Sequence, residues 1–155
     1  MPPIAYFITW TTYGSWLHGD DRGSVDDRHN QYGTNYAEPD RGRRSRVLER
    51  QSEPTMTLDD VDRETVAGAI RTTCEIRKWS VLALAVRTNH VHIVLQSAEC
   101  SPEHAAALLK SWATRALRAS GRHAGRTKFW TNQSSTRSLF FDEAVRGAVN
   151  YTMAH

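Results

Sequence analysis

A chain of 155 residues that is 39% hydrophobic and 24% charged is long enough to bury a core, and it is expected to form a single domain over residues 1–155. No apolar run approaches the roughly 18 residues of a membrane span, and the opening "MPPIAYFITW" lacks the basic and long apolar regions of a signal peptide, so a cytoplasmic protein with no membrane partner is expected. Cys74 and Cys100 make no disulfide framework and form no CxxC pair, so they read as ordinary thiols of a reducing compartment. Net charge is +3, with lysine only at positions 78, 110 and 128 and arginine elsewhere. The planar arginine fork suits phosphate and stacks on bases, although genomic base composition produces the same bias.

In chain order, residues 4–12, "IAYFITWTT", are β-branched and aromatic and predict a strand. Residues 13–57 are rich in Gly, Asp, Arg and Asn without a sustained period, and read as a long irregular insertion with a short helical piece near 43–51. The stretch 59–77 carries apolar residues at 61, 66, 70, 74 and 76 behind an acidic first turn, with Thr57 or Asp59 as cap, and predicts a helix. Strands follow at 80–87 and 90–96, joined by a tight turn at Thr88-Asn89. Ser101, Pro102 and Glu103 start a second helix, 101–120, which Gly121 ends. After the basic loop "GRHAGRTK", "RSLFF" at 137–141 predicts the last strand and 142–155 the last helix. The order is β-α-β-β-α-β plus a C-terminal helix, an α+β sandwich of ferredoxin-like type.

Within "TNHVHIVL", strand alternation puts His90, His92 and Val94 on one face and Val91, Ile93 and Leu95 on the other. If the Val/Ile/Leu side meets the helices, two imidazoles stand roughly 6–7 Å apart on the opposite face by strand rise. They are either ligands of one divalent metal or half-exposed histidines on a polar sheet face. In the last helix Tyr151 and His155 are four residues apart and share a face, beside a packing stripe of Ala144, Val145, Ala148, Val149 and Thr152. A helix laid across the sheet by that stripe brings Tyr151 and His155 over His90 and His92.

The strand "NHVHIVL" followed by a helical tyrosine resembles the single-tyrosine HUH transposases, which include the insertion-sequence type and the REP-associated tyrosine transposases. The stretches "YFITWTTYGSWLHG", "LLKSWATRAL" and "KFWTNQSSTRSLFFDEAVRGAVNY" are similar to that family too. The resemblance implies a metal-dependent, single-strand-specific DNA endonuclease and strand-transferase with Tyr151 as catalytic nucleophile, forming a 5′-phosphotyrosine. It implies His90, His92 and His155 as ligands of a divalent metal, Mg²⁺ or Mn²⁺. The position of His155 is commonly Gln or Asn in the family, and a third imidazole favours softer metals such as Mn²⁺, Co²⁺ or Zn²⁺ over Mg²⁺. The implied partner is single-stranded or hairpin DNA. Relatives act as monomers or as homodimers whose histidine strands pair edge to edge, and "HVHIVLQ" is capable of such an edge. The alternative is a domesticated descendant that binds hairpin DNA without cutting it.

Candidate DNA contacts are Arg41, Arg43, Arg44 and Arg46, with Arg50 beside them, and Arg122, Arg126 and Lys128 of the basic loop. The first cluster either tracks a phosphate backbone or is a solvated charge run. Trp10 and Trp16, with Tyr13 between them, either stack on unpaired bases or belong to the core. No H-x-[ST] motif occurs, which disfavours a two-motif phosphoesterase, and histidines occupy the strand where an RNA-recognition module carries aromatics.

Overall fold

The computed structural model describes residues 1–15, 52–97 and 99–155. Its strands are β1 (Ala5–Thr12), β2 (Ser80–Val86), β3 (His90–Gln96) and β4 (Trp130–Leu139); its helices are α1 (Asp60–Arg77), α2 (Pro102–Ala119) and α3 (Asp142–Ala154). The order is the expected β-α-β-β-α-β with a final helix, an α+β fold.

Local chemistry accounts for the first two helix starts. Asp59 and Asp62 form a reciprocal capping box on α1, each carboxylate accepting from the other's backbone N–H. At α2 the Ser101 hydroxyl accepts from the His104 N–H at 3.1 Å and Pro102 takes the first turn. Helix α3 starts differently: Phe141 stands at the N-cap, its side chain makes no capping hydrogen bond, and it is 68% exposed.

The four strands form one antiparallel sheet in the order β2-β3-β1-β4. Ile8, Trp10, Val91, Ile93 and Leu95 meet Val66 and Ile70 of α1 and Leu109 and Leu117 of α2 in a fully buried layer. On the other face a smaller cluster joins Ala5, Ala83, Val94 and Leu139 to Ala148 of α3, with Phe7, Ala144, Val145 and Val149 packed against it. The stripe expected on the last helix is therefore the one that docks it. Burial of each large aliphatic side chain is worth roughly 1.5–3 kcal/mol, so the first layer holds most of the hydrophobic stabilisation.

Two expectations are corrected. The last strand is not 137–141: it begins at Trp130 and ends at Leu139, with Phe140 and Phe141 outside it. Its polar run "TNQSSTRS" has no apolar alternation because β4 is an edge strand, held by its ladder to β1 and half solvated. The histidine strand is no edge at all. β3 pairs with β1 on one side and β2 on the other, so its backbone groups are engaged on both sides and edge-to-edge pairing of histidine strands is incompatible with this sheet. Among the described residues, no helix is long and apolar enough to cross a membrane.

Candidate active site

Pairing between β1 and β3 sets Thr9 opposite His92 and Thr11 opposite His90. The two imidazoles lean together, their ring centroids 4.6 Å apart, closer than backbone spacing alone implies. His92 is buried, 7% exposed, whereas His90 is partly open. Each ring is held from its Nδ1 side: His92 Nδ1 lies 2.7 Å from Thr9 Oγ1, and His90 Nδ1 lies 2.8 Å from Asn89 Oδ1. Burial pushes the His92 imidazole down to about 4, and the neighbouring positive charges of His90, Arg87 and His155 push the same way. The ring is therefore neutral near pH 7 and keeps one lone pair, the form in which histidine binds metals.

Helix α3 carries the tyrosine to this pair. Ala148 and Thr152 are buried against the sheet, and Tyr151, on the flank of that stripe, remains 47% exposed. Its ring meets His92 edge-on at 5.5 Å and 75°, meets Phe7 at 5.9 Å, and stacks on His155 at 4.4 Å and 16°. Tyr151, His90, His92 and His155 thus lie together as expected. The expected third ligand stands apart in one respect. His155 Nδ1 lies 3.2 Å from the Tyr151 carbonyl oxygen, and it is the His155 carbonyl oxygen, at 3.3 Å, that approaches His90 Nε2. Among the described residues no three His, Cys, Asp or Glu side chains gather into a metal-holding group. As imidazoles with ring centroids 4.6 Å apart, His90 and His92 have the chemistry of two ligands of a divalent cation, while the His155 ring is occupied with Tyr151.

Three residues at the site escaped sequence reasoning. Thr9 and Asn89 hold the imidazoles. Arg87, at the end of β2, donates through Nη2 to the Thr152 carbonyl at 3.4 Å, binding a last-turn carbonyl of α3. Thr9 is separated from His92 by 83 residues, so only strand register reveals the pair.

The basic loop is folded against acidic partners. Arg122 forms ion pairs with both carboxylates of the α1 capping box, its Nη1 2.7 Å from Asp59 Oδ1 and from Asp62 Oδ1. Its guanidinium holds the Asp59 carboxyl well below the usual carboxylate range. His123 Nε2 lies 2.9 Å from the same buried Asp62. Arg126 donates to the Pro54 carbonyl and lies 3.7 Å from Glu53, whose carboxylate also accepts the backbone N–H of Thr127 and Lys128. Lys128 sits over the Tyr13 ring at 5.5 Å. Hydrogen bonds from Thr12 to Asn89, Tyr13 to Phe129, Met56 to Tyr13 and Leu58 to Thr88 gather these segments at the sheet end that carries His90.

Trp10 is a correction. It is 1% exposed and packs edge-on against Trp130 in the helix-covered layer, beyond reach of a base, because it shares strand parity with Ile8 and Thr12. Trp16, Arg41, Arg43, Arg44, Arg46 and Arg50 lie outside the described residues.

A family model described as "Transposase IS200 like" matches residues 47–146 of the chain. The fold is similar to that of a REP-associated tyrosine transposase bound to a REP hairpin, with a TM-score of 0.55 and 14% identity, covering 98% of this chain and 66% of that one. The chain thus spans just under two thirds of that neighbour's length. It is also similar to a candidate transposase from Deinococcus radiodurans R1, with a TM-score of 0.52 and 14% identity, covering 99% of this chain and 91% of that one. At that identity the likeness concerns the fold. No curated protein matches by sequence.

Proposed function

The chain belongs to the IS200-like transposase family, and on that footing we propose that it is a metal-dependent single-stranded DNA endonuclease and strand-transferase with Tyr151 as nucleophile. The observation that carries this reading is the meeting of Tyr151 with the His90–His92 pair, its half-exposed ring 5.5 Å from that of His92. The Tyr151 hydroxyl attacks phosphorus in line; the bond to the 3′ oxygen breaks, the phenolic proton is lost, and the departing 3′ oxygen takes up a proton. A 5′-phosphotyrosine and a free 3′-hydroxyl result. The covalent link conserves the phosphodiester bond energy, so a different 3′ end can be joined without an external energy source. A divalent cation, Mg²⁺ or Mn²⁺, held by His90 and His92 with His155 as third ligand, would polarise a non-bridging phosphate oxygen and offset developing charge. Phenols ionise near pH 10, about three units above neutrality, so positive charge near Tyr151 assists attack.

The substrate on this reading is single-stranded or hairpin DNA, in keeping with the hairpin bound by the REP-associated neighbour. Arg41, Arg43, Arg44 and Arg46 supply positive charge for its phosphates. Arg122, Arg126 and Lys128 contribute from a loop whose shape their internal partners set. A second reading, a hairpin-binding descendant that no longer cuts, is favoured by one observation: the His155 ring stacks on Tyr151 instead of joining the other two imidazoles.

Incubating the protein with 3′-labelled single-stranded hairpin oligonucleotides and Mn²⁺ or Mg²⁺, then running a denaturing protein gel, separates the two. A labelled protein band, lost in Tyr151→Phe and with EDTA, is expected. Hairpin binding without any adduct across both metals establishes the binder instead.

A further inference from the structure

His92 is the more tightly framed of the two imidazoles. It is 7% exposed, Phe7 lies tilted against it at 5.7 Å, and Tyr151 and His90 close two further sides. Its one hydrogen-bond partner is Thr9 Oγ1, 2.7 Å from Nδ1; Nε2 has none among the described residues. The contact is set by the ladder, since Thr9 and His92 are direct partners in the β1–β3 register. Threonine is stiff about χ1, so a hydroxyl opposite the ring fixes its rotation. The neighbouring cross-strand position is used differently. Thr11, opposite His90, bonds to Thr131 Oγ1 on β4 at 2.9 Å, and His90 takes its Nδ1 partner from Asn89. The threonine hydroxyl of the ladder is thus committed to imidazole only at position 9.

We propose that Thr9 is a positioning residue for His92: its hydroxyl oxygen accepts the Nδ1–H, fixing the tautomer in which Nε2 carries the lone pair that ligates a divalent cation. This rests on the tyrosine-nuclease reading above, but the state of the ring in the metal-free protein does not. A metal-bound histidine is oriented through its other ring nitrogen, and loss of such a partner typically weakens metal binding about 10–100-fold.

The test compares wild type with Thr9→Val, which keeps the β-branched shape and removes the hydroxyl, and Thr9→Ser, which restores it. Long-range ¹H–¹⁵N NMR on the metal-free protein at pH 7.5 reads the His92 tautomer. The Nδ1–H form is expected in wild type and Thr9→Ser, with the Nε2–H form gaining in Thr9→Val. Calorimetric titration with Mn²⁺ is expected to show a 10–100-fold weaker Kd for Thr9→Val and near-wild-type affinity for Thr9→Ser, at unchanged circular dichroism. An Nε2–H tautomer in wild type, or equal Mn²⁺ affinity in all three proteins, overturns the proposal. Wild type that binds no Mn²⁺ and forms no adduct overturns the nuclease reading, and the tautomer then decides whether Thr9 orients the ring.

Discussion

The two faces of β3 show how one strand serves two purposes. Val91, Ile93 and Leu95 are sealed under α1 and α2 in a layer with no accessible surface. His90, His92 and Val94 face a single helix that docks through alanine, valine and threonine, so its tyrosine stays half open at the edge. The first face is large and dry, and stabilises the fold. The second has a small apolar patch of its own and places four polar rings beside it. Stability and site chemistry are therefore separable by residue parity along seven positions.

That separation can be broken most severely from the dry side. Ile93→Ala leaves a cavity in the larger layer and is expected to cost about 2–5 kcal/mol in a urea melt, with the His90–His92 pair untouched. A loss of Mn²⁺ binding in the still-folded variant would contradict the separation.

An intermediate effect is expected from the open face, as a dependence on pH. The folded His92 value, about 4, lies below the 6.5 of an unfolded histidine, so the unfolded chain binds a proton first as pH falls. The stability associated with neutral His92 is complete above about pH 6.5 and lost between there and about pH 4, by on the order of 2–3 kcal/mol. His92→Gln should flatten that part of a stability–pH profile. Asp59, also depressed, acts in the same direction but only in the carboxylate range, below that window.

The smallest effect sharpens the comparison at the helix over the open face. Phe141 fills the N-cap of α3 without capping it, and Phe141→Asp is expected to add about 0.5–1 kcal/mol, read as a higher melting temperature.

Most of the architecture was legible because its signals are local. Asp59 with Asp62, and Ser101 with Pro102, start α1 and α2 within a few residues of sequence, and the parity of "HVHIVLQ" separates the faces. The placement of Tyr151 over the histidines followed from i, i+4 spacing and the Ala-Val stripe, while its role is what the family resemblance implies. What stayed hidden depends on distant partners. β4 is a strand only because β1 templates it, and Thr9 meets His92 only through register. The basic loop looked free because the carboxylates that engage Arg122 lie some sixty residues earlier. Trp10 stays open between stacking and core in the sequence, and its parity with Ile8 places it inward only once the helix side of β1 is known.

The central place of β3 has a mechanical consequence. A strand fastened along both edges is stiff, and the imidazoles it carries keep their spacing under load. Helix α3 touches the sheet by one face and is tethered at its far end by the Arg87–Thr152 and His90–His155 contacts, both at 3.3–3.4 Å, so it is the more compliant part. Tyr151, the nucleophile on the proposed reading, is thus mounted on the softer member and the histidine pair on the harder one, so on that reading strain from a bound strand would fall first on the tyrosine's support.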